Sequence, residues 1–270
     1  MIALIAGVAA LYGALVGALY IFQRDLLFLP DTSHPSLARV AVPGLSEVTL
    51  TTADGLRLLA WHVPAPAGRP TILYTHGNGG NIGYRAERAA LLSAAGYGVL
   101  LVEYRGYGGN PGTPGEEEFH ADAEAGLKFL EGQGILPARV IVYGESLGSA
   151  VAVRLAAETA GRGTPVAALV LEAPFTSIAD VAQHHYPYVP ARRLVKDRFD
   201  AVSRIVQVRA PLLVLHGEGD RVVPIAFGRA LFEAAVEPKR GWFPLNADHA
   251  TIFDAEALRV VSAFLAEHVR

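Results

Sequence analysis

The chain has 270 residues, 51% of them apolar, a formal net charge of −3 and no cysteine. That length holds one α/β domain with a large core. The charge offers no global field for nucleic acid, and the missing cysteine excludes disulfides, a thiol nucleophile and thiolate metal sites.

Residues 2–22 carry no charge. As a helix rising about 1.5 Å per residue they reach about 31 Å, the thickness of a bilayer core. A cleaved signal peptide wants a basic start, a shorter apolar core and a small-x-small exit. Here no Lys or Arg precedes the core, and the exit is bulky, Leu19-Tyr20-Ile21-Phe22. A buried globular helix is disfavoured because the segment is apolar all round. Residues 1–22 therefore read as a retained transmembrane anchor. Tyr12 and Tyr20 suit the membrane interfaces, and Gly13-x-x-x-Gly17 is thin evidence for helix pairing. Arg24 and Arg39 follow the segment while only the terminal amine precedes it, so the positive-inside bias leans toward a cytoplasmic catalytic domain. An Arg- and Ala-rich, Lys-poor composition is associated with GC-rich bacterial genomes, which makes a bacterial inner membrane the expected address.

Residues 23–44 read as a linker, broken by Pro30, His34-Pro35 and Pro43-Gly44. From residue 45 to 270 the pattern is that of one domain. Residues 48–52, an Asp54-Gly55 turn and residues 56–63 form a hairpin. Strands then alternate with helices: strand 71–75, helix 84–95, strand 98–104, a helix opened by Thr113-Pro114-Gly115-Glu116 as a capping box, strand 140–143, helix 150–159, strands 167–171, 212–216 and 241–244, and a last helix at 260–268. Continuous apolar strands separated by helices mean a mostly parallel sheet covered on both faces. Residues 175–209 break the rhythm between two core strands and read as a small cap over the crevice at the strand ends.

The chemistry centres on Gly144-Glu145-Ser146-Leu147-Gly148. This is G-x-S-x-G directly after a strand and before a helix, the context of a nucleophile elbow. A serine hydroxyl needs a base and a group that orients the base. For this elbow they follow in the order acid, then His. Asp220 stands in a Gly-rich turn just past strand 212–216, and His249 on a loop before the last helix. Glu172, at the end of its own strand, is the rival acid, and Asp248, beside the base, is ranked third. His184 and His185 are rival bases, but their aromatic surroundings in the cap suit packing or substrate contact better. His62 and His216 read as structural. For the oxyanion, Leu147 N–H is one donor. The second comes from the loop His76-Gly77-Asn78-Gly79-Gly80-Asn81, with Asn78 N–H preferred and Gly79 N–H open. His76 reads as a brace of that loop, and Arg105 as architectural. The loop lacks a Walker Lys and dinucleotide-fingerprint spacing, which argues against phosphate binding. Glu116-Glu117-Glu118 reads as a solvated first turn. No cluster has convincing metal-ligand spacing, so neither metal nor cofactor is expected. Arg192, Arg193, Lys196 and Arg198 form a compact basic patch, read as a solvated face or as a contact for anionic headgroups.

Taken with Tyr104-Arg105-Gly106-Tyr107-Gly108, Gly219-Asp220-x-x-Val223-Pro224 and Asp248-His249, these motifs resemble the α/β-hydrolase superfamily. More narrowly, they are similar to a membrane-anchored branch in which a stretch like Gln23-Arg24-Asp25-Leu26 follows the anchor. The resemblance implies an eight-stranded sheet with a short cap between the sixth and seventh strands, and Ser146, Asp220 and His249 as the triad. It implies a serine hydrolase of carboxylic esters or thioesters, with lipid-like acyl substrates suggested by the anchor. A peptidase on the same triad and a non-catalytic membrane-bound module are the alternatives. The expected partners are an acyl substrate and membrane lipid, not nucleic acid; oligomeric state is not legible.

Overall fold

A computed structural model describes residues 1–269. Its centre is an eight-stranded sheet of β1 (Ser46–Thr51), β2 (Arg57–Val63), β3 (Thr71–Thr75), β4 (Gly98–Val102), β5 (Val140–Glu145), β6 (Ala168–Glu172), β7 (Leu212–Leu215) and β8 (Lys239–Trp242). Their spatial order is 8-7-6-5-3-4-2-1. β1–β2 and β2–β4 pair antiparallel, and every other pair is parallel. This is the α/β-hydrolase architecture that the sequence implies.

Because successive strand residues face opposite ways, the continuous apolar strands split into two cores. Leu73, Val142, Leu171 and Val214 face one side, where α3 (Glu116–Gly132), α4 (Leu147–Gly161) and α5 (Ile225–Ala234) bury Phe119, Ala123, Leu127, Val151, Leu155 and Leu231. Ile72, Tyr74, Ile141, Tyr143 and Val170 face the other, under Ala89 and Leu92 of α2 (Ala86–Ala94) and Val261 and Phe264 of α6 (Ala255–His268). With this double burial, the loops at the strand C-terminal ends are held on rigid elements.

Local signals misplaced some boundaries. The Thr113 capping box does not form: α3 starts at Glu116, and its backbone N–H donates instead to Asp197 Oδ1 at 3.1 Å. A side chain from the cap, 81 residues away, takes the role assigned to a local one. The elbow helix α4 starts at Leu147, directly after the nucleophile candidate, and α6 starts at Ala255, where the Asp254 carboxylate accepts two amides. The region 175–209 contains three short helices, Ile178–His185, Ala191–Leu194 and Val202–Ile205.

Helix α1 (Ile2–Ile21) has no buried residue, and it is the one described helix long and apolar enough to cross a membrane. Residues 23–44, which connect it to β1, are not a free tether. A short helix, Gln23–Leu27, follows at once. Arg24 makes a bidentate ion pair with Asp197. Phe28 is buried edge-on against Phe119 and Phe199. Leu29–Pro30 then pairs in parallel with Gly79–Gly80 of the loop after β3.

Candidate active site

The candidate nucleophile elbow is a steric construction. Ser146 has φ 50° and ψ −116°, a sparsely populated conformation at the junction of β5 and α4. Its N–H donates to Glu172 O at 2.8 Å, which ties the turn to the neighbouring strand β6. Strand and helix come so close here that a Cβ on Gly148 would collide with the carbonyl oxygens of Thr75 and His76. One on Gly144 would lie 2.6 Å from Gly148 O and 2.7 Å from the Ala152 methyl. Both glycines of G-x-S-x-G are thus accounted for by close approach.

Three sequence-predicted residues meet at the C-terminal edge of the sheet. Ser146 Oγ donates to His249 Nε2 at 3.0 Å, and His249 Nδ1–H donates to Asp220 Oδ2 at 2.7 Å. Ser146 and His249 are half-buried, while Asp220 is buried. Asp220 is held from several sides: Oδ1 accepts the amides of Val222 and Val223 at 2.9 and 2.8 Å, and His216 Nε2 lies 3.2 Å from Oδ2. Burial pushes the Asp220 carboxyl up, but the hydrogen bonds from His216 and His249 outweigh it and hold the group well below the usual carboxylate range. His249 is the mirror case. Burial lowers its pKa, and the hydrogen bond and charge of Asp220 more than reverse that, so the net direction is upward.

The rival residues stand elsewhere. Asp248 turns its carboxylate onto the amides of Ala250 and Thr251 and shapes the loop that carries His249. Glu172 is buried behind the elbow and accepts from Tyr143 Oη and Arg88. His184 packs against Phe227, and His185 donates to Val222 O at 2.9 Å, linking the cap to the Asp220 loop. His62 lies buried against Phe129, and burial lowers its pKa.

The loop after β3 is braced where the sequence suggested it. His76 Nε2–H donates to Glu103 Oε1 at 3.0 Å, and Glu103 Oε2 accepts Ile82 N–H. The Asn78 side chain donates to Leu27 O, while its Oδ1 accepts from Leu29 N–H and Tyr107 Oη. The backbone N–H groups of Asn78 and Leu147 have no acceptor among the described residues. Leu147 is also the first residue of α4, where the helix dipole favours negative charge. Arg105 is architectural but acts away from this loop: it clamps Asp122 of α3 and Asp54 of the β1–β2 turn.

Sequence reasoning missed a charged network under the elbow. Glu145 and Glu172 are register partners on β5 and β6, so two carboxylates stand side by side. Arg85 pairs with Glu145 and Arg88 with Glu172, and Tyr74 Oη donates to Glu145 at 2.8 Å. Burial pushes the Glu145 carboxyl up, yet the Arg85 charge holds it below its ordinary value. Glu103 was detectable as a charge ending an apolar strand; the arginines, on a neighbouring helix face, gave no such signal. As for metals, His120, Glu124 and Glu158 approach one another within 4.8 Å. Arg154 and Arg162 already neutralise Glu158 and Glu124, so the group reads as an ion-pair network between α3 and α4.

With this geometry described, comparison with known proteins gives a consistent picture. The sequence model described as serine aminopeptidase, S33, matches residues 66–202. An uncharacterised protein of Mycobacterium tuberculosis is 43% identical over 239 residues, 87% of this chain and 83% of that one. The lysophosphatidylserine lipase ABHD12 of Danio rerio is 34% identical over 257 residues, covering 80% of this chain and 67% of that protein. Among solved structures, the Pyrococcus furiosus esterase Pf2001 superposes with a TM-score of 0.71 at 20% identity, over 90% of this chain and 99% of that one.

Proposed function

The chain belongs to the α/β-hydrolase family described by the S33 serine aminopeptidase model, and on that premise we propose that it is a membrane-anchored serine hydrolase of carboxylic esters or thioesters. In this reading Ser146 Oγ attacks the acyl carbonyl carbon while His249 Nε2 takes its proton. Asp220 holds His249 in the tautomer that leaves Nε2 free to accept, and stabilises the imidazolium once it forms. The amides of Asn78 and Leu147 hold the oxyanion. His249 then hands the proton to the leaving alcohol or thiol. Water, deprotonated by the same imidazole, cleaves the acyl-enzyme and restores Ser146.

The single observation that carries this reading is the continuous hydrogen-bond chain Ser146–His249–Asp220 on an elbow that strains its own serine. A fluorophosphonate probe tests it. The wild type is expected to label and Ser146→Ala is not; absent labelling, or equal labelling of both, refutes the enzyme reading. The family model's description favours a second reading, a peptidase on the same residues. A panel of matched esters and amides decides between them, and at least a hundredfold preference for the ester is expected.

The proposed organisation is an anchor over residues 1–22, a connection over 23–44, and a hydrolase domain over 45–270 with its cap at 175–209. One apolar N-terminal helix fits a single-pass anchor. We place it in a bacterial inner membrane with the domain in the cytoplasm, because Arg24 and Arg39 follow the helix. A lipid-like acyl substrate follows from that position and from the relative named as a lysophosphatidylserine lipase.

A further inference from the structure

The cap climbs along the anchor. Tyr12 Oη donates to Tyr188 O at 2.7 Å, and Gln23 exchanges hydrogen bonds with Leu194 O and Lys196 N–H. At about 1.5 Å per residue these fastenings lie about 16 Å apart along the helix. Val16, Gly17 and Leu19 are the most covered residues of α1. Between the fastenings, α1 and the cap border an open cavity of about 240 Å³. Its walls include Val16, Leu19 and Leu27 on one side and Val181, Val189 and Leu194 on the other. Lys196 Nζ sits 4.4 Å over the Tyr20 ring, which puts a cation and an amphipathic ring together at one level of the helix. Val16 and Leu19 lie N-terminal to that level, on the side away from the catalytic domain.

We propose that this cavity holds one acyl chain of a lipid from the leaflet in which α1 stands, and that it governs chain-length preference. The inference rests on the anchored-hydrolase reading above. A wall contributed by a membrane-spanning helix opens to hydrocarbon, not to water. Lys196 and Tyr20 mark the headgroup level, so the cavity begins where acyl chains begin. One wall touches the proposed oxyanion loop: Leu27 lines the cavity, and its carbonyl accepts the Asn78 side chain.

The test uses the full chain in nanodiscs. Phosphatidylcholine with a terminal diazirine on one acyl chain is photolysed with the Ser146→Ala protein, and labelled peptides are mapped. Label is expected to concentrate on residues 178–195 and on Val16–Leu19. Leu19→Trp and Ala182→Trp, which fill the space from opposite walls, should each cut cap labelling at least tenfold; the first lies on the anchor and cannot unfold the domain. Label spread evenly along α1, label indifferent to both fillers, or cross-linking of a second copy through these residues would overturn the proposal. In the Ser146-containing protein, both fillers should lower the ratio of dodecanoate to acetate p-nitrophenyl ester kcat/KM at least tenfold, and an unchanged ratio counts against it. If no ester is turned over and no fluorophosphonate label appears, the hydrolase reading fails, while the lipid labelling still decides the cavity.

Discussion

At the scale of single residues the site is a balance of burial against charge. His249 must be neutral to accept the Ser146 proton, so kcat/KM should fall as pH drops through its pKa. Burial favours the neutral ring, but Asp220 outweighs it, so the acid midpoint should lie above the ordinary histidine value of about 6.5. Asp220→Asn should move that midpoint down and lower kcat by roughly 10⁴, the cost of the wrong tautomer in comparable triads. A pH–rate profile of both proteins checks this, and an unmoved midpoint counts against the assignment. Gly148→Ala places a methyl against two fixed carbonyl oxygens, and neither can retreat without moving β3. A loss of about 4 kcal/mol is expected, seen as a drop of about 8–16 °C in melting temperature. The residues of the proposed triad could be picked from the sequence because each sits in a short motif beside a strand end. The Arg85–Glu145 and Arg88–Glu172 pairs were not, because they depend on strand register and on a helix that crosses behind it. No local pattern encodes either.

At the scale of elements, the strands were the most legible part, since their apolar runs are continuous and their period is short. Helix starts were less so. α3 takes its N-terminal partner from Asp197, and no window around Thr113 contains that information. The stretch 23–44 is the clearest case: its prolines argue for a linker, yet residues 29–31 bond to the loop that carries the proposed oxyanion donor. Leu29 N–H and Leu27 O find their partner, Asn78, 49 and 51 residues away. Phe28→Ala should therefore cost about 3–5 kcal/mol, as other buried aromatic truncations do, and show in a thermal melt. Removal of residues 1–22 should leave hydrolysis of a soluble ester within about twofold. Removal of residues 1–31 should lower its kcat at least tenfold, because Asn78 loses Leu27 and Leu29. Equal rates for the two truncations would mean that the segment is mere connection.

At the scale of the whole molecule, the sequence conveyed an apolar N-terminal helix and a hydrolase fold, in order, but not that the cap fastens to that helix. Helix α1 passes through Phe22 into Gln23–Leu27 without a flexible residue run, and the cap grips it again at Tyr12. The proposed active site therefore rides at a fixed altitude above the bilayer midplane. Such a protein selects a bond by depth as well as by chemistry: an ester is within reach only if the membrane presents it at that height. Host lipids of graded acyl length change this height by a few ångströms. Turnover of a bilayer-resident ester should pass through an optimum across such a series, while a water-soluble ester is cleaved at the same rate in every member. On the proposed anchoring, this joint makes the thickness of the membrane a determinant of specificity.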